Sequence, residues 1–396
     1  MKDLTKNPYG KFNGNEQRYA IEALDSDSVN DTPFNQRFEE EFAKKFGCKY
    51  AIACNSGTSG LHAAVYAAGI ERGDEVINPG LTVVMDAWAI IHLGGTPIFA
   101  DINPNTLTID PDDIERKITD RTRAIIVVSL QGLSVDMDPI MEIANEKNIC
   151  VIEDSAQTML GTYKGNLAGT IGHINVFSFE NKKHMTCGSE GGMIVTDDER
   201  LAIRARKFAG LGYKHMTATA GRTSLALSEV QDPHYERFDT VGLNYRLNEV
   251  SAAVGLGQLE RIDEIVARRI KSANYFHDAV SNCNFMEPQE IPEGYEHSHY
   301  TYTVKYDEEK AGITWKEFYN RYIELGGDGF YGACKVPYLE PAFVDLEVNG
   351  IRYEKGICPN AEFVQPKIMQ FKTNYRDLDV AKKKAEILKE LINEMR

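Results

Sequence analysis

Seven short runs of apolar and β-branched residues, separated by stretches of helical periodicity, constrain this chain more than any other feature. They are Ala51-Ile-Ala-Cys54, Glu75-Val-Ile-Asn78, Pro97-Ile-Phe-Ala100, residues 124–130, Ile149-Cys-Val-Ile152, residues 174–179 and Met193-Ile-Val-Thr196. A strand with one wet face alternates polar and apolar residues, whereas a run without alternation has both faces covered. Between the first two runs, Leu61, Ala64, Val65 and Ala68 fall at i, i+3, i+4, i+7, the spacing of a helix with one buried stripe. A second helical stretch covers 138–147. Continuous strands joined by helices imply an α/β fold built on a mostly parallel, seven-stranded sheet with helices on both faces.

After about residue 200 the texture changes. Residues 200–240 read as a polar surface excursion, and 247–280 as one long helix presenting Val250, Val254, Leu256, Leu259, Ile262 and Ile265. Alternation at Tyr300-Thr-Tyr-Thr-Val304, a helix over 315–325 and a closing helix with Val380, Ile387, Leu388, Leu391, Ile392 and Met395 on one face give a smaller α+β part. The boundary is set near 260, so 1–260 form a large domain and 261–396 a small C-terminal one.

Composition narrows the function classes. The 396 residues carry 44 Lys and Arg against 59 Asp and Glu, a net charge of −15. That field repels a phosphate polymer, and no basic stripe offsets it, so no nucleic-acid partner is expected. A small anion remains acceptable, because a local pocket can reverse the sign of the global field. No run approaches 18 apolar residues, and the N-terminus lacks the apolar stretch of a secretory leader. No membrane association and a cytoplasmic location are therefore expected. The seven cysteines include no C-x-x-C pair, so reduced thiols are expected, without a metal site.

Four local features carry chemistry, each ambiguous alone. Asn55-Ser-Gly-Thr-Ser-Gly60 ends a strand and opens a helix, as either a simple cap or a phosphate cradle. Glu153-Asp-Ser-Ala-Gln157 leaves a buried strand where open α/β sheets bind ligands; its Asp either caps a helix or holds a proton on a heteroaromatic nitrogen. Phe177-Ser-Phe-Glu-Asn-Lys-Lys-His184 leaves another strand, and its lysines are either a solvated pair or include a Schiff-base nucleophile. Gly242-Leu-Asn-Tyr-Arg246 is a polar turn before a helix.

Taken in order, these motifs resemble the DegT/DnrJ/StrS family of sugar aminotransferases, over nearly the whole chain. The carriers are Ser56-Gly-Thr58, Gly73-Asp-Glu-Val76, Glu153-Asp-Ser-Ala-Gln157, Ser178-Phe179 with Lys183, Glu190-Gly-Gly192, residues 242–246 and Gln258-Leu-Glu260. The resemblance implies a fold type I, aspartate-aminotransferase-like enzyme that uses pyridoxal 5'-phosphate, with pyridoxamine 5'-phosphate as intermediate. It implies that Lys183 forms the internal aldimine and shuttles the proton. Asp154 then pairs with the pyridinium nitrogen, Gln157 contacts the ring hydroxyl side, and Gly57, Thr58 and Ser178 hold the phosphate. Asn244 is lent across a homodimer interface to the neighbour's phosphate. The implied reaction moves an amino group from glutamate to a nucleotide-linked keto-sugar, as in lipopolysaccharide or O-antigen biosynthesis. His299 and Tyr300, and Tyr331 and Lys335, fall where substrate is expected.

Two departures from the family pattern stand out. The usual spacing from the lysine to the glutamate of Glu-Gly-Gly is six, so counting back from Glu190 reaches His184, while counting forward from Ser178 reaches Lys183. Relatives with His at this place are pyridoxamine-dependent sugar dehydratases, which keeps that reaction as an alternative, beside amination of a cyclitol ketone and a cofactor-binding regulator without turnover. The forward count is preferred, with Ser189 as an inserted residue. Where relatives place an aromatic over the cofactor ring stands Val83, with Trp88 nearby as a substitute.

Overall fold

The computed structural model describes residues 10–25, 34–220, 228 and 231–395. Strands β1 (Tyr50–Cys54), β2 (Glu75–Pro79), β3 (Thr96–Ala100), β4 (Thr122–Val128), β5 (Cys150–Asp154), β6 (Ile174–Ser178) and β7 (Gly192–Thr196) form one sheet in the order β1-β7-β6-β5-β4-β2-β3. Only β7 runs against its neighbours, pairing Tyr50 with Thr196 on one side and Asn175 with Val195 on the other. Each of the seven expected runs overlaps one of these strands, the 124–130 run extending past Val128 into a 3-10 turn.

Successive side chains of a strand point to opposite faces, so each strand feeds two cores. One face of the sheet, with Ile52, Ile152, Val176 and Ile194, packs on α3 (Gly57–Ala67) and α7 (Glu199–Ala209). On the other face Ala51, Phe177, Met193 and Val195 meet α2 (Phe34–Phe46) and α8 (Glu249–Leu259), while Ile77, Ile125, Val127 and Val151 meet α6 (Met137–Lys147). Both faces are thus covered, which is why the runs lack alternation.

Three expectations are corrected. Residues 199–209 are a helix, not surface excursion: Ala202, Ala205, Phe208 and Ala209 are buried, but the small side chains and interspersed arginines hide the period. One of those arginines, Arg206, is itself buried, where it donates to both oxygens of Glu39 (3.0 and 2.9 Å) and to the carbonyls of Ala51 and Ala218. The long helix of 247–280 is two, α8 and α9 (Ile262–Val280), broken at Glu260 and Arg261. The face α8 buries includes Ala252, Ala253, Gly255 and Gly257, while Val250 and Val254 are only half-buried. The close approach explains the choice of residues: a Cβ on Gly255 would lie 2.9 Å from the Phe38 ring. On the closing helix Leu378–Glu394, Ala381, Ala385, Leu388, Leu391 and Ile392 face inward, whereas Val380 is 40% exposed.

A second, antiparallel sheet joins Met286–Pro288, Thr301–Tyr306 and Ile368–Lys372, with the 301–306 strand central. Phe276, Tyr302, Phe318, Tyr322, Phe371 and Leu388 build its core. The segment 336–364 returns to the large sheet's layer, where Tyr338, Phe343 and Cys358 join the core beside β2 and β3. Among the described residues no helix is long and apolar enough to cross a membrane.

Candidate active site

The C-terminal ends of β1, β2, β4, β5 and β6 point the same way, and the loops leaving them converge. This is the edge at which open α/β sheets bind ligands. After β1 comes α3, whose first turn is a capping box: the Ser56 hydroxyl accepts from the Ser59 amide (3.1 Å), and the Ser56 amide donates to Ser59 Oγ (3.1 Å). The first-turn amides of Gly57 and Thr58 have no acceptor inside the helix and remain available to an anion. A Cβ at Gly57 would lie 2.7 Å from the Cβ of Ser178, so only glycine lets the cradle and the end of β6 approach.

Asp154 ends β5, 2% exposed, and its Oδ1 accepts the Ala156 amide at 2.8 Å. Burial raises its pKa, and the Lys183 ammonium opposes that rise. Glu153, its neighbour in sequence, points to the other face and accepts from the amides of Gly169, Ile171 and Gly172; it serves the loop, not the site. The Gln157 carbonyl accepts the Gln131 amide at 2.8 Å, which leaves its amide nitrogen as the free donor. Gln131 itself has φ +62°, a left-handed turn that brings the 129–132 loop across the end of β4.

Lys183 and His184 part ways. The Lys183 side chain stands over the Tyr300 ring, Nζ 5.0 Å from its centroid, and burial lowers its pKa against the attraction of Asp154 and Glu180. Among the described residues Nζ makes no ion pair. His184 is fully buried with Nε2 3.1 Å from the Ser298 carbonyl, and burial holds the ring well below the usual imidazole range. Residues 188–190 form an exposed turn with Gly188 at φ +101°, before buried Gly191.

Arg269 was not singled out in sequence. It is 4% exposed and, among the described residues, without a carboxylate partner, and it donates to the carbonyls of Lys182 (3.0 Å), Lys183 (2.8 Å) and Tyr300 (2.9 Å) and to Thr373 Oγ1 (3.2 Å). It thereby ties the lysine loop to Tyr300, just before the 301–306 strand. Burial brings its pKa down to about 10. A buried arginine in mid-helix leaves no signal except a cation on an otherwise inward face. Behind the lysine loop lies a cavity of about 100 Å³ whose wall includes Lys11, Arg261, Arg268 and Arg376.

Other expected positions distribute as follows. Tyr331 is exposed and pairs its backbone with Gln370; the Lys182 ammonium lies 5.5 Å from its ring. Lys335 is exposed, next to Cys334, whose thiol is close enough to act on Lys183 and Tyr300. The His299 side chain stacks on His297 (4.0 Å between centroids) and lines a separate cavity of about 320 Å³ with His277, Gln289 and Tyr302, whose wall does not include Lys183. Asn244 is exposed, in the segment that pairs with Gly210 and lies against Cys54 and Asn55 at the mouth of the cradle. His62 is a packed residue, its Nδ1 2.9 Å from the Tyr245 hydroxyl and its ring edge-on to Phe208. Trp88 stacks on Phe343 at 4.9 Å and is therefore committed to the core. Among the described residues no cluster could hold a metal.

The model of the DegT/DnrJ/EryC1/StrS aminotransferase family matches residues 11–345. The chain belongs to this family. It is similar to the GDP-perosamine synthase of Caulobacter vibrioides, 38% identical over 301 residues that cover 75% of this chain and 76% of the relative. Among solved structures it resembles the aminotransferase from Psychrobacter cryohalolentis, with 29% identity, a TM-score of 0.86 and coverage of 96% and 97% of the two chains. It also resembles the E. coli GDP-4-keto-6-deoxy-D-mannose-3-dehydratase with bound hydrated PLP, at 25% identity, TM-score 0.82 and coverage of 94% and 96%. The protein is a sugar aminotransferase of fold type I, and pyridoxal phosphate is its cofactor. Its own residues fit that group: a cradle only glycine can line at 57, a buried carboxyl at the end of β5, and a half-buried lysine without an ion pair among the described residues.

Proposed function

We propose that the enzyme transfers the amino group of glutamate to a keto-sugar carried on a nucleoside diphosphate, with Lys183 as the nucleophile and proton carrier. The observation that carries this reading is the placement of the half-buried Lys183 amine, over the Tyr300 ring and within the field of Asp154. The names of the similar GDP-perosamine synthases support a GDP-linked sugar.

Bound pyridoxal phosphate supplies an electron sink and a carrier for the amino group. The chain supplies the rest. Gly57 and Thr58 amides and the Ser178 hydroxyl hold the phosphate, and the Asp154 carboxylate holds the proton at the ring nitrogen. The Gln157 amide would donate at the ring hydroxyl, and Lys183 Nζ would carry a proton between the substrate carbon and the cofactor's benzylic carbon. Val83 is half-buried in the loop after β2 and stands as the cover of the ring face, since Trp88 is engaged elsewhere. The cluster of Lys11, Arg268 and Arg376 reverses the sign of the −15 field locally and suits the carboxylates of glutamate or a diphosphate. Tyr300, Tyr331 and Lys335 face the sugar nucleotide.

On this reading the enzyme is a homodimer whose exposed Asn244 serves the neighbour's phosphate, with the chain divided near 260 into cofactor and smaller domains. It acts in the cytoplasm, and its product enters a surface polysaccharide of the O-antigen kind. The test is a coupled assay with glutamate and GDP- or dTDP-linked keto-sugars beside a keto-cyclitol. Formation of 2-oxoglutarate and an amino-sugar nucleotide is the expected result. Release of water and ammonia from the sugar, or no turnover with any acceptor, contradicts it.

A further inference from the structure

A second carboxyl lies against Asp154, and the functional reading above does not use it. Asp86, in the first turn of the helix Met85–Ile91 that follows β2, is fully buried. Its Oδ2 accepts the Thr82 hydroxyl at 2.6 Å. Its Oδ1 has no donor among the described residues, yet the side chain is within hydrogen-bond reach of the Asp154 carboxyl. The charged and polar groups acting on the pair are the Ala156 amide and the Lys183 ammonium on Asp154, and the Thr82 hydroxyl on Asp86.

Two carboxylates this close, both out of water, do not ionise together; one proton is shared between them. The environment decides which member keeps it. Asp154 has an amide donor and a nearby cation, both of which favour its carboxylate. Asp86 has one neutral hydroxyl and the charge of Asp154 beside it, which favour the acid.

We infer that Asp86 is a positioning residue that stays protonated and donates its hydrogen bond to Asp154, so that Asp154 remains a carboxylate toward the cofactor's ring nitrogen. A donor on its far side lowers the proton affinity of Asp154. The ring proton then resides on the nitrogen instead of moving onto the carboxylate. This rests on the reading of Asp154 as the ring-nitrogen partner; the shared proton itself does not.

The sign of the pH dependence follows. Asp86 keeps a proton in the folded chain that it loses on unfolding, so its contribution to stability falls as pH rises above the ordinary carboxyl range. The cofactor-free Asp86→Asn variant, which has an amide donor and no proton to lose, melts about 2–4 °C above wild type at pH 8 and converges with it towards pH 5. Parallel melting curves for the two proteins across that range overturn the shared proton.

The positioning role is read by titrating pyridoxal phosphate into each protein and recording affinity and the visible band. Asp86→Asn stays within about threefold of wild type, and Asp86→Ala binds at least about tenfold more weakly with a shifted band. Thr82→Val, which removes the hydroxyl that holds Asp86, shifts the band in the same direction. An Asp86→Ala protein with wild-type affinity and spectrum overturns the role. Failure of wild type to bind the cofactor sinks the functional reading, while the melting comparison still decides the proton.

Discussion

At the scale of single residues, the site is a set of buried polar groups whose partners define their tasks. Lys183 is the clearest. Because desolvation disfavours its ammonium, the neutral amine is available at lower pH than in water. The rate at which cofactor-free protein captures pyridoxal phosphate is therefore expected to rise with pH and level off below the ordinary lysine value of 10.5. A profile that keeps rising through that value contradicts the assignment. Asp154→Asn removes the carboxylate that holds the ring proton and lowers kcat by about 100-fold or more, with the phosphate cradle and hence cofactor binding largely retained. Arg269→Lys gives up the fork that reaches four acceptors, and is expected to lower kcat about tenfold with KM less affected, since its hydrogen bonds hold the lysine loop. Gly57, Thr58, Asp154, Gln157, Ser178 and Lys183, which the family resemblance implies, lie at one sheet edge. Asp86 and Arg269 were not legible, because a charged residue in a helical stretch reads as a solvated face until its neighbours are known.

At the scale of elements, the strands were the readable part and the N-terminal helices were overlooked. Phe34, Phe38, Phe42 and Phe46 recur every fourth residue, a pattern open to reading. They form an aromatic stack in which Phe42 meets Phe177 and Phe179 on either side of Ser178. That stack backs the strand leading to the lysine loop. Phe42→Ala should cost about 3–5 kcal/mol of stability and also loosen the cofactor site, measured by denaturant unfolding and cofactor titration. Helix α7 was missed for a different reason, since its inward face combines alanines with Arg206. Arg206→Ala strands the Glu39 carboxylate in the core and is expected to cost about 3–5 kcal/mol, whereas a surface arginine such as Arg200 should cost under about 0.5 kcal/mol. The break at Glu260-Arg261 is invisible in the apolar pattern because Leu259 and Ile262 are both buried and keep its rhythm.

At the scale of the whole molecule, an acidic chain brings cations together around one cavity, with Arg261 and Arg268 also paired to carboxylates of Glu16 and Glu264. Lys11, Arg261, Arg268 and Arg376 come from three distant stretches of sequence, so no window of the chain betrays their meeting. The same scale governs Asn244, which is exposed in one subunit and on our reading completes another. Neither Lys183→Ala nor Asn244→Ala homodimers should turn over well, but a refolded mixture should recover up to about a quarter of wild-type activity, from heterodimers with one intact site. No recovery on mixing would place Asn244 in its own subunit's site. The most direct test of the central claim is a single half-reaction. Glutamate is added to pyridoxal-phosphate-loaded wild type and to Lys183→Ala, with the visible band and 2-oxoglutarate followed together. The account predicts that wild type loses the band with one equivalent of 2-oxoglutarate per site and that the variant does neither. Equal conversion by the variant, or loss of the band without 2-oxoglutarate, would contradict it.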